Sequence, residues 1–443
     1  MKSIAVIGTG ISGLSAAWLL SKNHRVTLYE KDDRLGGHSN TVMIGDHAID
    51  TGFIVFNNRN YPNLIAFFDE IGVPSRDTDM SFSVSINKGA WEYSGTSLGG
   101  LFAQKRNMLR PTFIQMLLDI RRFYKEAPEM RFDPKYKHMT LGEYLREGEY
   151  SKAFINKHLI PMGAAIWSTP ADEMLAYPAE TFIRFCENHG LLQIKDRPQW
   201  RTVVGGSRTY VNKVREEIGD KNIRLNSAVT KITPSREGVF VECRNGHIQR
   251  YDDVVIATHA DQALSMLENP SPQYVKLLGA FPYEKNLAVL HTDESFLPKR
   301  KKAWASWNYL ADDNNSDNSQ KLCVSYWMNQ LQHIKSDKNF IVTLNPTETP
   351  KEGTVLRSFP YDHPVFDSQS IAAQHMLWNL QGKNNLWFCG SYFGYGFHED
   401  GIQAGLAVAE ALGGASRPWS FNPQKTRISL PESWTEARVE RVG

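Results

Sequence analysis

Cysteine is scarce in this chain. Four in 443 residues (Cys186, Cys243, Cys323, Cys389) are scattered and form no C-x-x-C pair. Neither a disulfide framework nor a metal site is expected from them, and they read as reduced, partly buried thiols of a reducing compartment. An excess of positive charge is missing too. Fifty Lys and Arg against 48 Asp and Glu leave a formal +2, without the basic stripe of a nucleic-acid binder. No stretch approaches the ~20 apolar residues that span a bilayer. The nearest case, Lys2 followed by Ile4 to Leu20, has the outline of a signal peptide, but Gly8, Gly10 and Gly13 interrupt it and a strand ending in an acid follows. A cytoplasmic protein is expected, at most peripheral to the inner face of a membrane. Internal repeats and long low-complexity tracts are absent.

Apolar and aromatic side chains are plentiful: 41% of the chain is hydrophobic, with 11 Trp, 17 Tyr and 22 Phe. The length suffices for two folded units sharing one chain. The aromatic supply suits a large apolar pocket, and equally an aromatic core with no ligand.

The chain opens strand, tight turn, helix, strand. Ile4 to Ile7 is a short apolar run of the buried parallel type, Gly13 to Ser21 an Ala/Leu-rich helix, and Arg25 to Tyr29 a second strand. From Tyr61 to about Trp200 the texture predicts helices, among them Phe113 to Tyr124 and Leu141 to Asn156. Gly205-Gly206 introduces a further helix. Strand patterns follow over Asn222 to Ile232 and Gly238 to Cys243, then the apolar run Val254 to Ala257. Residues 265–380 read as irregular and aromatic, with a mobile polar surface loop at 312–318. Leu386 to Gly390 is a strand that leads into a helix over Gly401 to Leu412, and the chain past Gly414 either wraps the surface or is partly disordered.

Gly8-Thr9-Gly10-Ile11-Ser12-Gly13 is G-x-G-x-x-G between a strand and a helix. The first glycine permits the tight turn, the second lets backbone N–H groups approach a pyrophosphate, and the third lets helix and strand pack closely. Glu30 stands 17 residues after Gly13, at the end of the next strand, where a carboxylate can accept from both ribose hydroxyls. Ser12 inside the fingerprint and Lys31 after Glu30 complete this first group of candidate cofactor contacts. Arg34-Leu35-Gly36-Gly37 and Asp50-Thr51-Gly52 follow closely, and a nicotinamide dehydrogenase has no reason to repeat them.

With these motifs the chain resembles the flavin-containing amine oxidase-like superfamily, the group of monoamine oxidases, carotenoid desaturases and protoporphyrinogen oxidases. The resemblance implies that Arg34, Gly36, Gly37 and His38 approach the pyrophosphate and flavin, and that Thr51, Gly52 and Phe53 approach the flavin ring. Val203 to Ser207 resembles the family's central glycine pair. Val229 stands where the family's adenine-contacting valine does, and Ala257 ends the strand that closes the cofactor domain. Gly390, Ser391, Gly401 and Ile402 match the C-terminal strand-to-helix block, whose helix N-terminus points at the flavin. Cys389 lies outside the usual position of covalent attachment, so the resemblance implies FAD held non-covalently. The implied fold is α/β, a Rossmann-like FAD-binding domain of discontinuous segments plus an inserted α+β substrate domain. Residues 1–57, 201–265 and 381–415 would form the FAD-binding domain, 58–200 and 266–380 the substrate domain, and 416–443 a C-terminal tail.

Two departures bear on the substrate. His38 follows the glycine pair where many amine oxidases carry Arg, and Phe397 falls where they place a tyrosine of the amine-orienting cage. The block Trp387 to Gly401, with Asp50 to Asn57 and Ala305 to Tyr309, resembles a bacterial subgroup of NAD/FAD-binding flavoproteins. Genes of that subgroup lie near cyclopropane-fatty-acid-synthase-like methyltransferases. This implies a small-molecule or lipid substrate, specifically an acyl chain carried by a phospholipid, and desaturase-like removal of hydride from a C–H bond. An amine oxidase, a non-redox flavin isomerase and a flavin-bearing sensor or scaffold share the fingerprint and stay open.

His398 is the candidate catalytic residue, a proton acceptor or relay near neutral pH. Its alternative role is structural, bonded to backbone and fixing the glycine-rich turn. Glu399 reads as a surface or helix-capping acid. Tyr395 and Phe397 are candidate substrate contacts, and Tyr392 and Phe393 line the pocket or stack in the core. The stretch Lys105 to Lys125 mixes apolar residues with Arg110, Arg121 and Arg122; it is either a helix on an anionic bilayer or an amphipathic helix packed on the core. Lys299-Arg300-Lys301-Lys302 is a second basic cluster, read as a solvated loop. Nothing in the sequence sets an oligomeric state.

Overall fold

The computed structural model describes residues 1–95, 97–130, 132–167, 171–188, 190–193, 196–312 and 323–434. A five-stranded parallel sheet forms its base. Ser3–Ile7 lies at the centre, flanked on one side by Arg25–Tyr29 and then Ile223–Arg224, and on the other by Asp253–Ile256 and then Leu386–Phe388. Helices cover the sheet, so its strands read as continuous apolar runs rather than alternating ones. Ile4, Ala5, Val6, Leu28 and Val255 are wholly buried, and burying each larger side chain contributes ~1.5–3 kcal/mol. The run that outlines a signal peptide is therefore the central strand plus the helix Ile11–Leu20, every residue of which is buried.

The long C-terminal helix His398–Ala411 packs against that first helix. Glycine makes the approach possible: a Cβ on Gly405 would collide with the Ser12 carbonyl, and one on Gly401 would stand 2.8 Å from both Ile11 Cγ2 and Ser12 Oγ. A three-stranded antiparallel meander, Val229–Ser235, Gly238–Cys243 and Ile248–Tyr251, adjoins the base.

The described part of residues 265–380 is not irregular. It supplies five strands of a seven-stranded sheet ordered Val355–Pro364, Tyr283–His291, Ile341–Leu344, Cys323–Trp327, Trp307–Ala311, Phe82–Ile86 and Trp91–Ser94. Most of its pairs are antiparallel, but Trp307–Ala311 runs parallel to Phe82–Ile86. Helices from the earlier insertion cover one end. Pro111–Met130 extends well past the expected Tyr124 and buries Phe113, Met116 and Phe123. The expected Leu141 to Asn156 helix is broken into Leu141–Glu147, ended near Gly148, and Lys152–Phe154 with a wide turn, Ile155–Leu159, behind it. Likewise Asn222 to Ile232 is two strands in two sheets, Ile223–Arg224 and Val229–Ser235. Apart from Asp312, the expected polar loop at 312–318 lies outside the described residues.

Past Gly414 the described chain is anchored to the body. Arg417 makes a buried ion pair with Glu410 at 2.9 Å, and Arg427 lies 3.7 Å from the buried Asp400. All four cysteines are free and buried. No helix among the described residues is long and apolar enough to cross a membrane.

Candidate functional site

The first glycine turn is built as its spacing requires. Gly8 has φ +98°, in the left-handed region, and a Cβ there would stand 2.9 Å from the Ala257 carbonyl oxygen. A Cβ on Gly13 would collide with the Gly8 carbonyl, so the third glycine is a packing residue. Gly10 differs: its Cβ position has no atom within 4 Å, leaving bare backbone at the mouth of a large cavity. The second glycine pair lies against this turn, with a Cβ on Gly37 only 3.2 Å from Gly10 Cα. Glu30 is buried, and its carboxylate accepts from Thr9 N at 3.2 Å, Thr9 Oγ1 and Asp32 N at 3.1 Å.

The D-x-G turn is welded to the central glycine pair by Asp50. Its carboxylate accepts from Ser207 N at 2.9 Å, Ser207 Oγ at 2.7 Å, Gln332 Nε2 at 2.8 Å and Thr41 Oγ1. Burial pushes Asp50 up to about 6, against the lowering effect of these donors. The Gly205-Gly206 pair thus braces the turn that brings Thr51, Gly52 and Phe53 to the cavity. Gly52 must be glycine because a Cβ would strike the His38 carbonyl.

At the start of the C-terminal helix, His398 lies face to face with Phe53, ring centroids 3.6 Å apart. Its Nε2 is 2.9 Å from Ser39 Oγ and 3.4 Å from Tyr210 OH. Burial, then the neighbouring His38, hold its pKa down at about 3, so the ring is neutral at pH 7. Glu399 is not a surface acid. It is fully buried and caps another helix, Pro62–Glu70, accepting from Asn63 N at 3.1 Å and Leu64 N at 3.0 Å.

One cavity of about 690 Å³ joins these parts. Its wall includes Gly8, Gly10, Ser12, Glu30, Lys31, Arg34, Gly36, Gly37, His38, Thr51, Gly52, Phe53, Val229, Ala257, Gly390, Ser391, Tyr395, Phe397 and His398. Gly13, Gly401 and Ile402 stand behind the wall as packing residues, as does Phe393, whereas Tyr392 reaches the lining. The residues fit a dinucleotide: bare backbone at Gly10, a helix N-terminus at Ile11 and a carboxylate at Glu30 all face one space.

The far wall is different in kind. Met80, Ile166, Phe185, Trp307, Tyr326 and Leu344 close it, and among the described residues the linings from 58–200 and from the strands at 283–344 include no charged side chain. Phe397 stacks on Phe185 at 5.3 Å, with Tyr395 edge-on to the same ring at 5.8 Å. Sequence reasoning missed this wall, and it missed His259, Tyr361 and His363 near the glycine turns, because segments far apart in the chain supply them.

The sequence profile of the flavin containing amine oxidoreductases matches residues 11–413. A Mycobacterium tuberculosis protein that bears the name of a flavin-containing monoamine oxidase is 27% identical over 289 residues, 63% of this chain and 62% of its own length. The aligned part is thus just under two thirds of that relative. Among solved structures, putrescine oxidase bound to putrescine aligns with a TM-score of 0.67 at 15% identity, over 93% of this chain and 98% of its own. A fatty acid isomerase from P. acnes that produces CLA aligns at 0.66 and 13% identity over the same shares. At such identities these two structures speak for the fold alone.

Proposed function

The chain belongs to the flavin containing amine oxidoreductase family, and we propose that within it the protein is an FAD-dependent oxidoreductase acting on an apolar C–H bond, with a phospholipid-linked fatty acyl chain as substrate and a desaturated chain as product. Its cofactor is FAD, whose proposed seat is the cavity beside the Gly8–Gly13 turn, held without a covalent bond. When bound, FAD would supply a hydride acceptor at flavin N5, and the second hydrogen lost from the chain would leave as a proton to a base or water. The rest falls to the side chains. One observation carries the reading of the substrate: the wall built by the inserted segments is apolar and aromatic, and its described residues include no charged group.

Such a wall binds hydrocarbon and excludes water. Each buried CH₂ contributes ~0.8 kcal/mol, so eight methylenes contribute about 6 kcal/mol without any charged anchor. A protonated amine would surrender its hydration there with no carboxylate among the described lining residues to replace it. Phe397, at the position where the resemblance expects a cage tyrosine, lacks a hydroxyl. His398 serves in this reading as a neutral support for Phe53 and the Gly396 turn.

A bilayer face fits the same substrate. Leu98 and Leu109 are 77% and 88% exposed, and Met108, Ile114 and Leu118 lie open beside them. Of the bases in this stretch, Arg110 stacks over Trp91, and Arg122 pairs with Asp119 and covers Tyr150. Lys105, Arg106, Arg121 and Lys125 stay exposed. The turn Lys301–Ala303 packs against the helix Leu98–Leu101, which brings exposed Lys299, Lys301 and Lys302 to the same face. Apolar tips ringed by bases suit an anionic lipid surface.

The test is anaerobic mixing of the yellow holoprotein with liposomes of methylated or unsaturated anionic phospholipids, following the oxidised flavin absorbance. Bleaching by lipid but not by benzylamine or polyamines is expected. Rapid bleaching by an amine and none by lipid would return the protein to the amine oxidases.

A further inference from the structure

Three histidines from three distant segments crowd one side of the cavity. His38 follows the second glycine pair, His259 follows the strand Asp253–Ile256, and His363 lies near the end of Val355–Pro364. The His38 ring centroid is 5.8 Å from that of His259 and 5.5 Å from that of His363, and it stacks on Tyr361 at 5.0 Å. His259 in turn stacks on Tyr283 at 4.5 Å. All three rings line the cavity, and His38 Nε2 is buried without a hydrogen-bond partner.

Their position relative to the first turn follows from its glycines. Gly37, immediately before His38, would place a Cβ 3.2 Å from Gly10 Cα. Thr258, immediately before His259, has its Cγ2 only 3.1 Å from the Cβ position of Gly8. Two of the three rings are thus one residue removed from atoms touching the turn where a dinucleotide's phosphates meet backbone N–H groups. We propose that His38, His259 and His363 form the titratable half of the diphosphate site, so that loading FAD charges at least one ring and takes up protons from solvent.

Without an anion beside them, the rings resist charge. Burial is the main cause for each, and neighbouring histidines add repulsion for His38 and His363. His38 and His363 are held at about 3 and His259 at about 4. The facing groups do not offset this. Lys31 and Arg34 repel a proton from the loop after Glu30, and His398 faces His38 from the C-terminal helix. The Asp362 backbone accepts from His38, and the Asp362 carboxylate favours charge on His363. Tyr283 and Tyr361 are neutral, each with its hydroxyl raised by burial, and Asp261 adds to the rise at Tyr283. A diphosphate brings two negative charges and several acceptor oxygens into this balance and reverses it. Where the resemblance expects a permanently charged arginine, this chain has a group that is charged only when the cofactor is present.

The sign follows from linkage. Rings neutral before loading and charged after it bind FAD more tightly at low pH. The Kd therefore rises with pH, by up to about tenfold per unit for each proton taken up. The proposal rests on the cofactor and not on the substrate proposed above. Deflavinated full-length protein should be titrated with FAD calorimetrically at pH 6.5, in PIPES and in imidazole at matched ionic strength. Binding heat that depends on the buffer, corresponding to uptake of roughly half a proton or more, is expected, and His38→Arg should bind FAD with reduced uptake. Holoprotein diluted at pH 6 and pH 9 gives a second readout, with faster flavin release, seen as fluorescence, at pH 9. Buffer-independent heat with tight binding, or uptake unchanged in His38→Arg, His259→Gln and His363→Gln alike, would overturn the proposal alone. No FAD binding at all would overturn it together with the cofactor assignment.

Discussion

Asp50→Asn tests whether the brace behind the D-x-G turn is held by a carboxylate whose pKa burial raises. Asp50 is 1% exposed and is surrounded by four donors from Thr41, Ser207 and Gln332. Its pKa is raised from 3.8 to about 6, with burial as the main cause. A carboxyl that holds its proton more tightly when folded adds stability below its unfolded pKa and loses it as pH rises through the folded one. Between pH 8 and pH 5 the wild type therefore gains about 1.4 kcal/mol from Asp50 alone. Asparagine does not titrate, and it turns an amide N–H₂ toward donors at a fixed cost of ~1–3 kcal/mol. The variant should thus be less stable at both values, and the deficit should be larger at pH 5 by about 1.4 kcal/mol. Urea unfolding of flavin-free protein measures this without the stabilisation that bound ligand adds. An equal deficit at both pH values, or a larger one at pH 8, would refute the reasoning.

Gly10→Val should abolish flavin binding without unfolding the protein, because the Cβ position is free of protein atoms and opens only on the cavity; stoichiometric FAD in the purified variant would mean the phosphates lie elsewhere. In the wild type, acid should release all the flavin into the supernatant, and flavin retained on the precipitate would sink the non-covalent assignment. His398→Asn should keep FAD and change the rate of flavin reduction by less than about tenfold, since a ring whose pKa is held down at about 3 is a weak base and its Nε2 is already engaged with Ser39. A loss of ~10²-fold or more would assign proton transfer to the ring.

Those features legible in the sequence are local ones. The strand Ser3–Ile7, the glycine turn and Glu30 lie within one short stretch whose spacing fixes its geometry, and the structure brings them to one cavity. The seven-stranded sheet was not legible because its partners are far apart and its edge is disguised. Tyr283 pairs with Pro364, and the edge strand Val355–Pro364 holds two prolines that only an unpaired edge tolerates. Glu399 was legible as a capping acid, but it caps a helix 336 residues away. The trio of histidines carries no signal at all in a sequence, since residues 38, 259 and 363 share no spacing. The basic clusters near Lys105 and Lys299 were each visible, but their common face depends on the Leu98–Leu101 helix between them.

The distribution of charge in the cavity bears on substrate choice more directly than any single residue. Among the described residues Glu30, Lys31, Asp32, Arg34, Arg244 and Asp362 account for its charged lining, and none of them comes from the helical insertion or from the strands that form the far wall. An isolated ammonium moved to such a wall loses hydration worth several kcal/mol, because no carboxylate compensates it. A hydrocarbon chain moved to the same place gains for every methylene. The two substrate classes are thus separated by opposite signs at one surface, and no specific contact is needed to exclude the amine. The proposed histidine site fits the same division, because it places reserve charge beside the glycine turn, where the cofactor's diphosphate is proposed to lie, and not at the far wall. Placing a carboxylate in the far wall, as in Leu344→Glu, should therefore weaken reduction by acyl lipid and admit amines; a variant that gains no amine turnover while keeping its lipid activity would show that desolvation is not what selects the substrate.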